Sequence, residues 1–230
     1  ATTIVAFAQS ANAQTNLQTL YDFNRGHFTT TLEMFKGDNW GNTFFFVDYD
    51  YQLKQANGTT DSPASTYFEI ARCLNFWQDS ALGAFSAQIE YNGGVGTFIA
   101  PGERGFYGVN HAILAGVDYF AHSSDFRNTL NMKVLYKKFR NLEQKAPLQL
   151  TAVWGCQDLF GLKGVRFSGF ADLWWESQAV FLSEPQIWYN VGGLFGVGNL
   201  HIGSEVELAY NFAGVSGFRC RPCLGAKWEF

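Results

Sequence analysis

No stretch of this sequence reaches the roughly 18 to 20 consecutive apolar residues that a membrane helix needs, which excludes a span of that kind. Charge is scarce: Asp, Glu, Lys and Arg make up 16% of the 230 residues, against roughly 25% in a typical soluble domain. The balance of −4 leaves no basic surface for nucleic acid. Four cysteines, Cys73, Cys156, Cys220 and Cys223, are compatible with export but too sparse for a disulfide scaffold. Helical periodicity is weak throughout. Aromatic residues, by contrast, reach 17%. Such a load either fills one large core or faces lipid in short alternating segments.

The alternation is there. In residues 43–52, TFFFVDYDYQ, Phe45, Val47, Tyr49 and Tyr51 share one face, and Phe44, Phe46, Asp48, Asp50 and Gln52 the other. Residues 28–35 and 85–92 split in the same way into an apolar and a polar face. Twelve strands are expected, near 16–24, 26–36, 42–52, 65–77, 83–93, 105–121, 127–140, 147–156, 164–176, 179–190, 200–212 and 217–230. The connections are turn-rich, as at Asn57-Gly58, Gly93-Gly94 and Gly192-Gly193. The longer ones, 53–64 and 94–104, follow odd-numbered strands, so with the N-terminus inside they emerge outside. The second, with Pro101 and flanking glycines, is a candidate plug.

Periodicity cannot tell a soluble barrel from a membrane barrel, but aromatic position can. Tyr49, Tyr51, Tyr91, Tyr119, Trp154, Trp175, Tyr189, Tyr210, Phe212, Trp228 and Phe230 fall on outward faces near expected strand ends, as in two interfacial girdles. An even-stranded closed barrel also leaves no edge exposed to lipid. The expected fold is therefore all-β, a transmembrane antiparallel up-and-down β-barrel in the bacterial outer membrane.

The first residues, ATTIVAFAQSANAQ, read as the apolar tail of a secretory signal with a small-residue cleavage site at Ala11-Asn12-Ala13. The chain then divides into a residual signal peptide, 1–13, and one barrel domain, 14–230. Near the C-terminus, Cys220-Arg221-Pro222-Cys223 imitates a redox or zinc motif. On a regular strand residues three apart project from opposite faces, which suits neither chemistry; a disulfide would need a kink at Pro222.

Several segments together are similar to the nucleoside-specific outer-membrane channel family (Tsx-like), in its shorter branch. They are residues 21–51, YDFNRGHFTTTLEMFKGDNWGNTFFFVDYDY, then YFEIARCLNFW, SEPQIWYN, IGSEVELAYNF and the ending LGAKWEF. The Trp40 to Asp48 core, W-G-x-T-F-x-F-V-D, is the most specific. The resemblance implies a twelve-stranded barrel conducting nucleosides by diffusion. The ending at Phe230 resembles the signal recognised by the outer-membrane assembly machinery. Family members often carry a charged residue near the position of Cys73, which departs from that pattern.

By parity the inward face carries Glu33, Asp48, Asp50, Glu69, Glu90, Asp118, Asp172, Glu176, Glu184, Glu205 and Glu207, against Lys133, Lys137, Arg166 and Lys227. Phe44, Phe46, Phe170, Trp174 and Trp188 also face inward. The lumen residues expected to meet solute are Glu33, Phe44, Phe46, Asp48, Asp50, Glu69, Asp172, Trp174, Glu184, Trp188, Glu205 and Glu207. A nucleoside offers a flat base to such rings and ribose hydroxyls to such carboxylates, whereas phosphate is repelled. The plainer reading is that inward acids pair with Lys and Arg across strands and that Phe44 and Phe46 pack the wall. Asp48 and Asp50 with no nearby histidine make a poor metal set, and His27, His111, His122 and His201 read as structural. No cofactor, metal or catalytic group is expected: no G-x-S-x-G occurs, and no outward face pairs Ser with His. The alternatives are a closed structural or adhesin-like barrel without a pore, and an outer-membrane enzyme. Strict alternation also sends Arg72 toward lipid, a conflict unless it lies near an interface or a bulge.

Overall fold

The computed structural model describes residues 14–53, 64–100 and 103–230. The expected signal peptide and the Asn57-Gly58 turn lie outside the described residues. The strands are β1 (Gln14–Asp22), β2 (His27–Asp38), β3 (Gly41–Asp50), β4 (Ala64–Leu74), β5 (Phe85–Ala100), β6 (Glu103–His122), β7 (Asn128–Phe139), β8 (Leu148–Gln157), β9 (Val165–Trp175), β10 (Ala179–Ser183), β11 (Gln186–Asn190), β12 (Leu200–Tyr210) and β13 (Phe218–Glu229). Consecutive strands pair antiparallel, except that β10 and β11 do not pair with each other and each pairs with β9 and β12, and β13 returns to β1 from Asn16↔Glu229 to Asp22↔Cys223, closing the wall.

Both β10 and β11 lie between β9 and β12 in one unbroken register, so they are halves of a single stave and the barrel has twelve. Pro185 causes the break. Val206 N–H donates to the Pro185 carbonyl at 3.0 Å, but proline has no N–H to return to its partner. Strands such as β1, β3, β8 and β13, of 9 to 12 residues, have the length of tilted membrane-crossing strands, about 9 to 11 residues.

Burial shows which face is wet. Gln88, Glu90, Asn92, Asp118, Lys137, Gln149 and Lys227 point inward and are buried, while Ile70, Ile89, Ile113, Val134, Ile202 and Leu224 point outward and are 47–58% exposed. An apolar outer band around a polar interior is the inverse of a soluble barrel and matches a lipid solvent. Tyr49, Tyr51, Tyr119, Tyr189, Tyr210, Trp228 and Phe230 are exposed on the outer side, as the girdle pattern requires. Phe212 is a correction. It sits in the β12–β13 turn and packs edge-on to the inward Trp174, with ring centroids 5.9 Å apart, because the turn bends toward the lumen.

The segment 94–104 is a second correction: Pro101 lies outside the described residues, and the described residues 94–100 and 103–104 are wall strand and not a plug. β5 runs straight through Gly93 and Gly94, paired with β4 at Phe68↔Gly93 and Tyr67↔Gly94, and continues to Ala100. These glycines mark close approach rather than a turn. A Cβ on Gly93 would lie 2.7 Å from His111 Nδ1, and one on Gly94 2.2 Å from the Thr66 carbonyl oxygen. The hairpin of β5 and β6 instead rises beyond the rim, since β7 pairs with β6 only from Ala112 to His122. We call this the distal rim; β1 begins and β13 ends at the terminal rim.

Candidate functional site

The inner wall is built by parity alone: each stave contributes every second side chain, so the lining is spread over all twelve rather than gathered by one loop. Every residue expected to meet solute lies on that face. They form a lining with three zones, not one compact site.

In the middle zone stand six carboxylates, Asp48, Glu69, Glu90, Asp172, Glu184 and Glu205. Asp48, Glu184 and Glu205 are electrostatic neighbours, as are Glu69, Glu90 and Asp172. Among the described residues, the side chains that donate hydrogen bonds to them are neutral. Thr31 Oγ1 donates to Asp48 at 2.5 Å, Tyr67 hydroxyl to Glu69 at 2.6 Å, and Gln88 Nε2 to Glu90 at 2.8 Å. Thr151 Oγ1 donates to Asp172 at 2.5 Å and Gln186 Nε2 to Glu205 at 2.6 Å. Among the described residues, none of the six is in an ion pair within 4.0 Å. Direct cross-strand ion pairing is therefore missing where they are most concentrated, and Lys133 and Lys137 act on Glu90 and Asp172 only from a distance. The nearest basic side chains take other partners: Lys133 donates to Gln88 and Lys137 to Gln149, both at 2.7 Å.

Toward the terminal rim, Glu33 accepts from Asn16 Nδ2 at 2.9 Å. Phe44, Phe46 and Tyr67 run as a line of rings with centroids 6.0 and 5.9 Å apart. Trp188 is buried beneath Lys227, whose Nζ lies 4.3 Å from its ring centroid. Arg166 faces Glu229 at 3.8 Å, and His201 faces the same carboxylate at 3.5 Å.

The distal zone is divided. On one side Arg25 contacts Asp22 and lies 3.3 Å from Glu207, Arg221 donates to Glu207 at 2.8 Å, and His27 faces Asp50 at 3.6 Å. On the other, Trp174 lies within an apolar cluster of inward side chains, with Lys137 Nζ 4.3 Å from its ring centroid. Arg25, Arg219, Arg221 and Tyr67 were not among the expected lumen residues. The alternation that places Lys227 inside already puts Arg219 and Arg221 there, so that signal was available; Arg25 lies in a turn and carried none. His27 and His201 face the lumen, and His111 lies against Tyr91, whose hydroxyl is 2.5 Å from His111 Nδ1.

All four cysteines are free, with Cys220 exposed and Cys223 buried, so the C-R-P-C stretch holds no disulfide.

A domain of unknown function, DUF5020, matches residues 14–230, nearly the whole chain. The chain belongs to the DUF5020 family. No curated protein sequence matches it. Among solved structures, the KdgM porin in complex with disordered oligogalacturonate is similar, with TM-score 0.53 and 10% identity over 94% of this chain and 99% of that one. Outer membrane phospholipase A from Escherichia coli is similar too, with TM-score 0.51 and 9% identity over 94% and 92%. At such identities the likeness is one of fold. With its closed, apolar-faced barrel, this DUF5020 member is a bacterial outer-membrane β-barrel. Neither likeness singles out the nucleoside channels, so a nucleoside cargo stands only as a proposal.

Proposed function

We propose that this DUF5020 barrel is a passive, selective channel through which small polar solutes, neutral or cationic, diffuse across the outer membrane, with nucleosides as the leading class. The observation that carries the reading is the unpaired carboxylate belt: six acids facing one lumen with no ion-paired cation among the described residues. Rings of Asp and Glu favour cations and repel anions. A ribose hydroxyl can donate to Glu69 or Asp48, and the Phe44, Phe46 and Tyr67 rings offer flat faces to a base. Glu33, Asp50, Asp172, Trp174, Glu184, Trp188, Glu205 and Glu207 complete the proposed lining. The distal rim faces the outside, and Phe230, which is 72% exposed, is offered to the assembly machinery.

A closed barrel is the second reading, because the apolar distal cluster narrows the lumen. An enzyme fits less well: His111, on the outer side, meets a tyrosine hydroxyl and not a serine. Purified protein in planar bilayers and liposomes separates these readings. Ion conductance together with uptake of uridine and adenosine, and exclusion of uridine monophosphate, is the expected result. A bilayer that passes neither ions nor uridine would overturn the channel.

A further inference from the structure

The distal apolar cluster is out of place in a water-lined lumen. Ala112, Leu114, Leu135, Phe139, Trp174 and Val180 all belong to inward faces, yet they are at most 7% exposed. Two rim segments fold inward onto them, bringing Leu142 from residues 140–147 and Phe212 from residues 211–217, joined by Leu182 from the wall.

Each segment is latched from below. Gln144 Oε1 accepts from Phe139 N–H at 3.0 Å and its Nε2 donates to the Lys137 carbonyl at 3.1 Å, which draws Leu142 down. Asn211 Nδ2 donates to the Ala179 carbonyl at 3.1 Å, and the Arg219 guanidinium donates to the Phe212 carbonyl. The turn carrying Phe212 keeps two non-glycine residues in the left-handed region, Asn211 at φ 55° and Ala213 at φ 53°, a conformation that costs energy for residues with a Cβ.

That turn is also a self-contained unit. Asn211-Phe-Ala-Gly-Val-Ser-Gly217 at the distal rim repeats the pattern of Asp158-Leu-Phe-Gly-Leu-Lys-Gly164 at the terminal rim. In both, the first side chain accepts from the last N–H, at 3.0 Å from Gly217 and 2.7 Å from Gly164. Asp158 and Phe160 repeat the positive φ of Asn211 and Ala213. The turn thus holds its shape without the lumen, and only its docking on Trp174 is particular to the distal end.

We infer that Phe212 and Leu142 form an apolar lid, carried on two latched segments, that closes the distal mouth over Trp174 and Val180 and must withdraw before solute enters. The gating role rests on the channel reading above; the covering does not. The buried wall is accordingly the place to probe. Val180→Cys, in a chain whose four native cysteines are replaced by alanine, reports on the lid through its rate of reaction with a charged, water-soluble thiosulfonate. Phe212→Ala is expected to speed that labelling at least tenfold and to raise bilayer conductance severalfold, while Phe212→Leu stays near the parent rate. Heat-modifiable migration verifies that each variant has folded. Labelling equally fast with and without Phe212 would overturn the lid. Faster labelling with an unchanged conductance would overturn the gate. Faster labelling in a bilayer that stays sealed for parent and variant alike would keep the cover, sink the gate, and show that the fault lies in the channel reading.

Discussion

Arg72 grips Asp38 through both guanidinium nitrogens, Nη1 to Oδ2 at 2.5 Å and Nη2 to Oδ1 at 2.8 Å, and its Nη1 also reaches Thr43 Oγ1 at 3.1 Å. Alternation does send Arg72 outward. The pair lies at the terminal rim, beside the turn that ends at Gly41, where a charged head meets the interface and not hydrocarbon. The conflict raised by strict parity disappears without a bulge.

The ion pair is partly exposed, 28% for Arg72 and 40% for Asp38, so its coupling is expected to be about 1 kcal/mol or less. Urea unfolding of Asp38→Asn, Arg72→Leu and the double variant in lipid vesicles measures it. Asp38→Asn should lower the midpoint in the parent and do nothing further once Arg72 is gone. Strictly additive losses would show that the pair contributes nothing.

Gly41 should tolerate no side chain. Its φ is +145°, and a Cβ there would lie 2.1 Å from the Cys73 carbonyl oxygen across the β3–β4 ladder. Gly41→Ala is expected to cost at least about 2 kcal/mol or to block assembly, the scale of a forced core clash. Gly214→Ala, with φ +73° and open space around it, should cost only the left-handed penalty, about 1 to 2 kcal/mol. The yield of heat-modifiable folded protein compares them, and equal yields would contradict the contact.

Charge removal from the belt should be read electrically. With Glu69→Gln and Asp172→Asn together, the reversal potential in a KCl gradient is expected to move toward zero as cation preference falls. Lys137→Gln should move it the other way. A potential unmoved by either change would mean that the belt does not border the ion path.

The cysteines give a test of facing. Cys220 projects toward lipid and Cys223 into the lumen, so an oxidant should not join them. A small apolar maleimide should modify Cys220 far faster than Cys223, followed by mass spectrometry of the tryptic peptides. A crosslink between the two, or equal rates, would mean that the last strand is kinked at Pro222.

Most of the wall was legible in the sequence because alternation is a local rule. Phe218 to Glu229 alternates exposed and less exposed residues without a break. The W-G of the Trp40 to Asp48 core also has a local reason, since Asp38 Oδ1 accepts from Trp40 N–H at 2.8 Å and Gly41 fits where a side chain cannot. Glycines misled at 93–94, where they permit contact across strands instead of turning the chain.

Strand number, polarity of each face and the lipid-facing band were thus written into the order of the residues, since each depends only on neighbours two apart. The inward swing of Phe212, the lack of ion pairs on the six belt carboxylates among the described residues and the burial of the distal cluster were not. These depend on which residues of distant staves meet once the barrel closes, a matter of register and loop docking that period-two alternation does not encode.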